Sequence, residues 1–278
     1  MKKFFTGLTA LLVLICSCFA FTACKDIKKV EIKVEVFDGV ESYSEYTLTL
    51  DMYRHLAPNT VDTIISYIND GYYNDAIFYK NKAYDTQVMF GDFKLDGAEL
   101  VQKEIMPTID GEFEKAGVKG SNLKNVRGAV GLWRSWYDSD DLYKTSSSAV
   151  DTGRANWYMP SITSASYNSN FCIFAMIDLD NTDNSDALTA IEDALSSINN
   201  YLDYEVYFTG EYDVTKANQN HGLTFNSVLA SEFNEDDIDG LFTADGEQLV
   251  CYNHYTVRIP VVADTTQLAL RLVSIKVK

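Results

Sequence analysis

Few residues in this chain have the types and spacing that chemistry requires. His55, His221 and His254 lie far apart, and none has a Ser, Asp or Cys placed to make a base–nucleophile pair or a zinc site. The stretch DLDNTDNSD, from Asp178 to Asp186, is rich in oxygen ligands. A calcium loop needs glycine at its sixth position and glutamate at its twelfth, and both are missing, so the stretch reads as a helix-capping turn. There is no phosphate-cradling glycine loop, dinucleotide fingerprint or nucleophile elbow. The residues therefore point to no metal and no cofactor. Of the five cysteines, Cys172 and Cys251 sit inside apolar runs, where two buried thiols are expected and a single disulfide is the alternative.

The chain opens MKKFFTGLTALLVLICSCFAFTACKDIKK: two lysines, an apolar run from Phe4 to Ala20, then small residues ending at Cys24. That is the layout of a secretory signal. Phe21-Thr22-Ala23-Cys24 looks like a bacterial lipobox, with Phe21 where an aliphatic residue is usual. Residues 1–23 are then the signal, Cys24 the lipidated residue and 24–29 a short membrane-proximal linker. An uncleaved anchor is the alternative and leaves the domain on the same side. The domain is expected at the outer face of a bacterial cytoplasmic membrane. A net charge of −17 excludes nucleic-acid binding by counterion release, which needs clustered Lys and Arg. Neutral or basic proteins and peptides are the partners such a surface favours.

The elements that must carry any site are mostly strands. Val30-Glu31-Ile32-Lys33-Val34-Glu35-Val36 alternates strictly, a turn falls at Asp38-Gly39, and Tyr46-Thr47-Leu48-Thr49-Leu50 alternates again, which predicts a hairpin. Pro58 opens a segment with Val61, Ile64, Ile65 and Ile68 at helical spacing, closed by Gly71. A second helix is predicted over 185–202, with Leu188, Ile191, Leu195, Ile198 and Leu202 on one face and Ser185 or Asp186 as its cap. The remaining apolar runs are short and separated by turn residues, which favours a closed or nearly closed β-barrel. Residues 30–278 read as one domain with polar insertions at about 136–168 and 211–250. The first is rich in aromatics, among them Trp136, Tyr137, Tyr143, Trp157, Tyr158 and Tyr167.

The order of these blocks resembles the cyclophilin family of peptidyl-prolyl isomerases. Tyr53-Arg54-His55-Leu56-Ala57-Pro58-Asn59-Thr60-Val61 matches the family's turn into its first helix. Gly71-Tyr72-Tyr73-Asn74-Asp75-Ala76-Ile77-Phe78-Tyr79-Lys80 matches the block ending Phe-His-Arg. Gly91-Asp92, Gly111-Glu112-Phe113, Leu123 to Trp133 and Ser169-Asn170-Phe171-Cys172-Ile173 follow in the family's order. The resemblance implies a mainly β, closed antiparallel barrel capped by two helices, with a proline-binding groove on one outer face and no cofactor. The aromatic insertion would then be a lid over that groove.

Isomerising an X-Pro bond means crossing a barrier of about 18–20 kcal/mol, because rotation destroys amide resonance. It needs an apolar pocket for the ring, a donor aimed at the prolyl nitrogen and polar groups holding the carbonyl, and no nucleophile. The resemblance places Lys80 where the family's donor arginine stands, an exchange that keeps charge but loses the planar fork. It places Thr86, Gln87 and Met89 on the pocket block, with Gln87 the candidate for orienting the amide. Trp133 takes the place of a small alanine at the groove, and Cys172 that of the phenylalanine flooring the proline pocket. Tyr201 and Glu205 fall near the family's later Trp and His positions. None of these positions keeps the family's residue. The expected function is peptidyl-prolyl isomerisation of exported proteins, with weak activity, by a membrane-anchored monomer. The alternative is a non-catalytic module that binds peptide in a remodelled groove.

Overall fold

Alternation of Val30, Ile32, Val34 and Val36 with charged residues leaves the first strand one apolar face, and that face is buried. The computed structural model describes residues 26–84, 86–118, 123–134, 150–196, 200–209, 224–234, 251–263 and 266–278. In it β1 (Ile27–Phe37) and β2 (Tyr43–Tyr53) form the expected hairpin, paired from Ile27↔Tyr53 to Phe37↔Tyr43. Asp38 ties the turn by accepting from the amides of Val40, Glu41 and Ser42, while Gly39 takes the positive φ of 84° that the turn requires.

Helix α1 (Pro58–Asn69) follows, with Val61, Ile64 and Ile68 buried. Its own capping position is Ala57, which has no side-chain oxygen. Glu112 supplies one from far along the chain, accepting from the amides of Asn59 and Thr60 at 3.0 and 2.8 Å. The later strands are β3 (Phe78–Asn81), β4 (Gln87–Phe90), β5 (Phe93–Asp96), β6 (Glu99–Gln102), β7 (Ala129–Leu132), β8 (Trp157–Pro160) and β9 (Ile173–Ile177). Helix α2 spans Thr182–Ala194, followed by β10 (Tyr201–Thr209), β11 (Thr224–Leu229), β12 (Cys251–Pro260) and β13 (Leu270–Val277).

Eleven strands form one sheet in the order β11-β10-β12-β3-β4-β8-β7-β9-β2-β1-β13, antiparallel throughout, and β5-β6 is a separate hairpin. Among the described residues no pairing joins β13 to another strand besides β1, so the mainly β, two-helix architecture holds without hydrogen-bonded closure of the sheet. Two clusters fill the two faces. The larger packs α1 and α2 against β1, β2, β9 and β13. The smaller lies on the opposite face, where Tyr79, Met89, Tyr158, Phe171 and Ile173 pack with Tyr204, Val206, Val257 and Ile259 of β10 and β12 and with Phe93 and Leu100 of the hairpin.

The structure departs from the sequence reading in three places. Helix α2 ends at Ala194, and Leu202 belongs to β10. Its cap is Asn181, whose side chain accepts from the amides of Asp183 and Asn184, rather than Ser185 or Asp186. The segment 136–168 contributes β8 to the middle of the sheet, so Trp157 and Tyr158 are fully buried rather than displayed on a lid. Trp136, Tyr137 and Tyr143 lie outside the described residues, as does Cys24. Cys172 is a free, buried thiol, which removes it from the disulfide alternative.

Candidate functional site

The placement of β8 decides what becomes of the residues assigned to a groove. It runs between β4 and β7, with Met89 opposite Tyr158 on one side and Gly131 opposite Tyr158 on the other. The Tyr158 ring lies directly over Gly131: a Cβ there would sit 2.3 Å from its Cε1, so only glycine fits. Tyr158 then meets Phe171 edge-on at 5.1 Å and Trp133 at 5.9 Å, and Trp133 stacks on Phe171 at 5.5 Å. Trp133, Met89 and Tyr158 thus share one aromatic layer. Met89 is 2% exposed and Gln87 is 1% exposed. Gln87 Oε1 has no hydrogen-bond partner among the described residues, an arrangement that costs about 1–3 kcal/mol. Thr86, next to it, is exposed, and its carbonyl accepts from Ser161 N at 2.8 Å.

Lys80 lies on the other side of β3, away from this layer. Its Nζ donates to Ser196 Oγ at 2.6 Å at the end of α2. Lys80 is in register with Arg258 and Arg258 with Asp203, so the three share a face across β3, β12 and β10. Arg258 makes a two-point contact with Asp203 at 2.9 Å and stacks over Tyr201 at 4.6 Å, and Lys82 joins Asp203 at 2.7 Å. Burial works to raise the Asp203 carboxyl, but bonds from Arg258 and Lys82 outweigh it and hold it below the usual range. Glu205, further along β10, accepts from Thr256 Oγ1 and meets His254 Nε2 at 2.7 Å. Tyr201 is therefore brought beside Lys80's neighbour, while Glu205 is engaged with its own partners.

Cys172 points the opposite way, into the larger core. It is 2% exposed with Thr60 Oγ1 at 3.5 Å, and burial pushes its thiol up to about 12. It floors no groove. The residues assigned by sequence fall into four places: Gln87, Met89 and Trp133 in the aromatic layer, Lys80, Tyr201 and Glu205 on the polar face, Cys172 inside, and Thr86 exposed just before β4.

Sequence reasoning missed a cleft among the described residues. Its volume is about 100 Å³, and it is lined by Tyr72, Asp92, the segment 102–106, Trp133, Thr152 and residues 154–156. The cleft exists because Gly91, at φ 126°, lets the chain before β8 approach: a Cβ would lie 2.7 Å from the Ala155 carbonyl oxygen. Asn156 donates from Nδ2 to the Tyr79 hydroxyl at 2.9 Å and is 5% exposed, with Oδ1 unpartnered among the described residues. Burial raises the Asp92 carboxyl to about 7, offset only in part by Asn156 and Arg154. Arg154 anchors the facing loop by donating to the Met106 carbonyl. The sequence signal for this cleft is Gly91-Asp92, where only glycine permits the close approach. No group of metal-binding side chains occurs among the described residues, and no described helix is long and apolar enough to cross a membrane.

Comparison with known proteins settles the ancestry. The family profile described as Cyclophilin type peptidyl-prolyl cis-trans isomerase/CLD matches residues 40–200, more than half of the chain. The chain belongs to the cyclophilin family. Among solved structures, a cyclophilin type peptidyl-prolyl cis-trans isomerase of Cryptosporidium parvum is 17% identical with a TM-score of 0.41, covering 61% of this chain and 86% of its own. A structure of that isomerase in the presence of the dipeptide Ala-Pro gives 16% identity and a TM-score of 0.35, covering 56% and 84%. No curated protein matches. The match range holds β8 and the whole aromatic layer, so the departures described above are departures of a cyclophilin.

Proposed function

We propose that this cyclophilin is an exported protein, lipid-anchored through Cys24 at the outer face of a bacterial cytoplasmic membrane. There it acts as a monomer on proline-containing segments of other exported proteins, with weak isomerase turnover and no cofactor. Family membership supports the substrate class. The observation that carries the weak turnover is the Tyr158 ring over Gly131, between the strands that hold Met89 and lead to Trp133. A ring packed there occupies space that a prolyl ring would need, and Gln87, 1% exposed, cannot reach a substrate carbonyl without movement. The reading includes a barrel-like wrap of the sheet, supported by the single interior cluster shared by Phe78 of β3 and Ile275 of β13.

Two-dimensional NMR exchange on short Ala-Pro peptides tests this with the full chain in detergent micelles. Catalysis that falls at least about tenfold in Lys80→Ala, about 1.4 kcal/mol of transition-state stabilisation, supports an isomerase with lysine as donor. Cis/trans exchange unchanged by either protein refutes turnover. The second reading, a recognition module without catalysis, is favoured by Cys172 facing the core and by the buried Met89. It predicts peptide shifts on binding with no acceleration. The anchor is tested separately: Cys24→Ser should move the protein from the membrane to the soluble exported fraction, and unchanged partition rejects lipidation.

A further inference from the structure

Three strand ends meet at one edge of the domain, where β1 begins. Ile27 lies opposite Tyr53, the end of β2, and the Lys278 amide, just past β13, donates to the Lys29 carbonyl at 2.9 Å. On this edge Lys28 pairs with Asp26 at 3.0 Å, Lys29 with Asp51 at 2.6 Å and Lys278 with Glu31 at 2.7 Å, and Arg54 bridges Asp26 and Asp62. The pairs are layered, with the cations outermost. The Lys29 side chain is 58% exposed over an Asp51 at 27%, and Lys278 is 52% exposed over a Glu31 at 20%. Lys28 likewise lies further out than Asp26, and among these pairs only Asp62 is more exposed than its partner. The order reverses at the other end of the hairpin. There Glu45 is 51% exposed against 37% for Lys33, and Asp38 and Glu41 are exposed at the turn.

A bilayer surface distinguishes these two ends. Phospholipid phosphates attract ammonium groups and repel carboxylates. With 40 acidic against 23 basic side chains the protein is repelled as a whole, so contact falls to an edge where ammonium groups are outermost. Cys24 stands three residues before Ile27, a reach of at most about 11 Å. The turn end of the 11-residue β1 lies about 34 Å further along the strand. That is beyond the screening length of about 8 Å at physiological salt. We propose that this edge is the membrane-facing surface of the domain, with Lys28, Lys29, Lys278 and Arg54 on phospholipid phosphates and the β1-β2 turn directed away from the bilayer. An ammonium carries three N–H donors, so Lys29 keeps Asp51 and Lys278 keeps Glu31 while each reaches a phosphate. The proposal rests on the anchor reading above and adds which way the anchored domain faces.

Paramagnetic broadening reads the facing directly. The chain, extracted from membranes with its anchor, is placed on bilayer discs of phosphatidylcholine and phosphatidylglycerol that carry a gadolinium-chelating lipid. Its amide signals are compared with those on discs without the metal. The expected result is loss of the Lys28, Lys29, Arg54 and Lys278 signals, with Val40 and Glu41 intact. Lys29→Gln combined with Lys278→Gln removes two outer ammonium groups and should let the signal loss spread to other faces. On the unaltered chain, 1 M salt should do the same, because the screening length falls to about 3 Å. Loss that stays confined to this edge in the variant or in high salt shows that the tether alone sets the facing, and overturns the lipid contact. Uniform loss over the domain, or loss centred on Val40, overturns the proposal while the anchor reading stands. A chain that separates from the discs refutes the anchor reading and the proposal together.

Discussion

Replacing Asp92 by asparagine should change how stability depends on pH. Burial raises the native carboxyl from the ordinary 3.8 to about 7, against the smaller opposing effects of Asn156 and Arg154. The other groups facing it are the phenols of Tyr72, Tyr73, Tyr79 and Tyr255, each pushed up chiefly by burial and further by this carboxylate, with Lys103 and Glu104 on the cleft wall. The fold holds this proton more tightly than the unfolded chain does. Its contribution is therefore complete below pH 3.8 and is lost as pH rises through about 7. The gap is worth at most about 4 kcal/mol, of which about 3 kcal/mol falls between about pH 4.5 and about pH 8. Asp92→Asn cannot ionise. Urea unfolding of both proteins across that window should show the variant gaining up to about 3 kcal/mol relative to the wild type as pH rises. Taking the difference removes the titration of distant carboxylates, which act alike in both proteins. A difference flat to within about 0.5 kcal/mol would show Asp92 to be solvated in the native state, and the picture of a dry polar floor would be wrong.

Gly131→Ala places a methyl group 2.3 Å from the Tyr158 ring and should cost about 1–3 kcal/mol in urea unfolding; an unchanged midpoint would mean that the ring does not lie over this strand. Tyr158→Phe removes a buried hydroxyl with no partner among the described residues and should leave stability unchanged or raise it by about 1 kcal/mol. A loss of more than that would reveal a partner for the hydroxyl. Cys172, with its thiol raised to about 12, should resist alkylation in the native protein at neutral pH and react on unfolding, as read by peptide-resolved mass spectrometry. Native-state labelling at the rate of a free thiol would contradict its burial.

Local rules made much of this fold readable. The β1-β2 hairpin was visible because only one face of it is buried, so its period of two survives in the sequence. Helix α1 was legible from Pro58 and the spacing of Val61, Ile64 and Ile68, but not its cap, because Glu112 reaches it across the tertiary fold. Helix α2 was drawn too long because Leu202 happens to continue its apolar spacing while serving β10. Strand β8 left no signal at all. All four of its residues are buried, so no alternation shows, and Pro160 at its end argues against a central strand.

The sequence by itself determined the family and the identity of the substituted positions, since those depend on residue type and order along the chain. The tertiary structure alone decided where those positions point. Strand parity sends Cys172 inward, and Phe171 beside it outward to meet Trp133. It sets Lys80 against Ser196, and inserts Tyr158 between Met89 and Gly131. It also assembled the cleft from Asp92, Arg154 and Asn156, whose meeting depends on a glycine close approach and on strand order. Side-chain direction in a sheet reverses with every residue, so a correct residue list leaves the facing of each undetermined until register and neighbours are known.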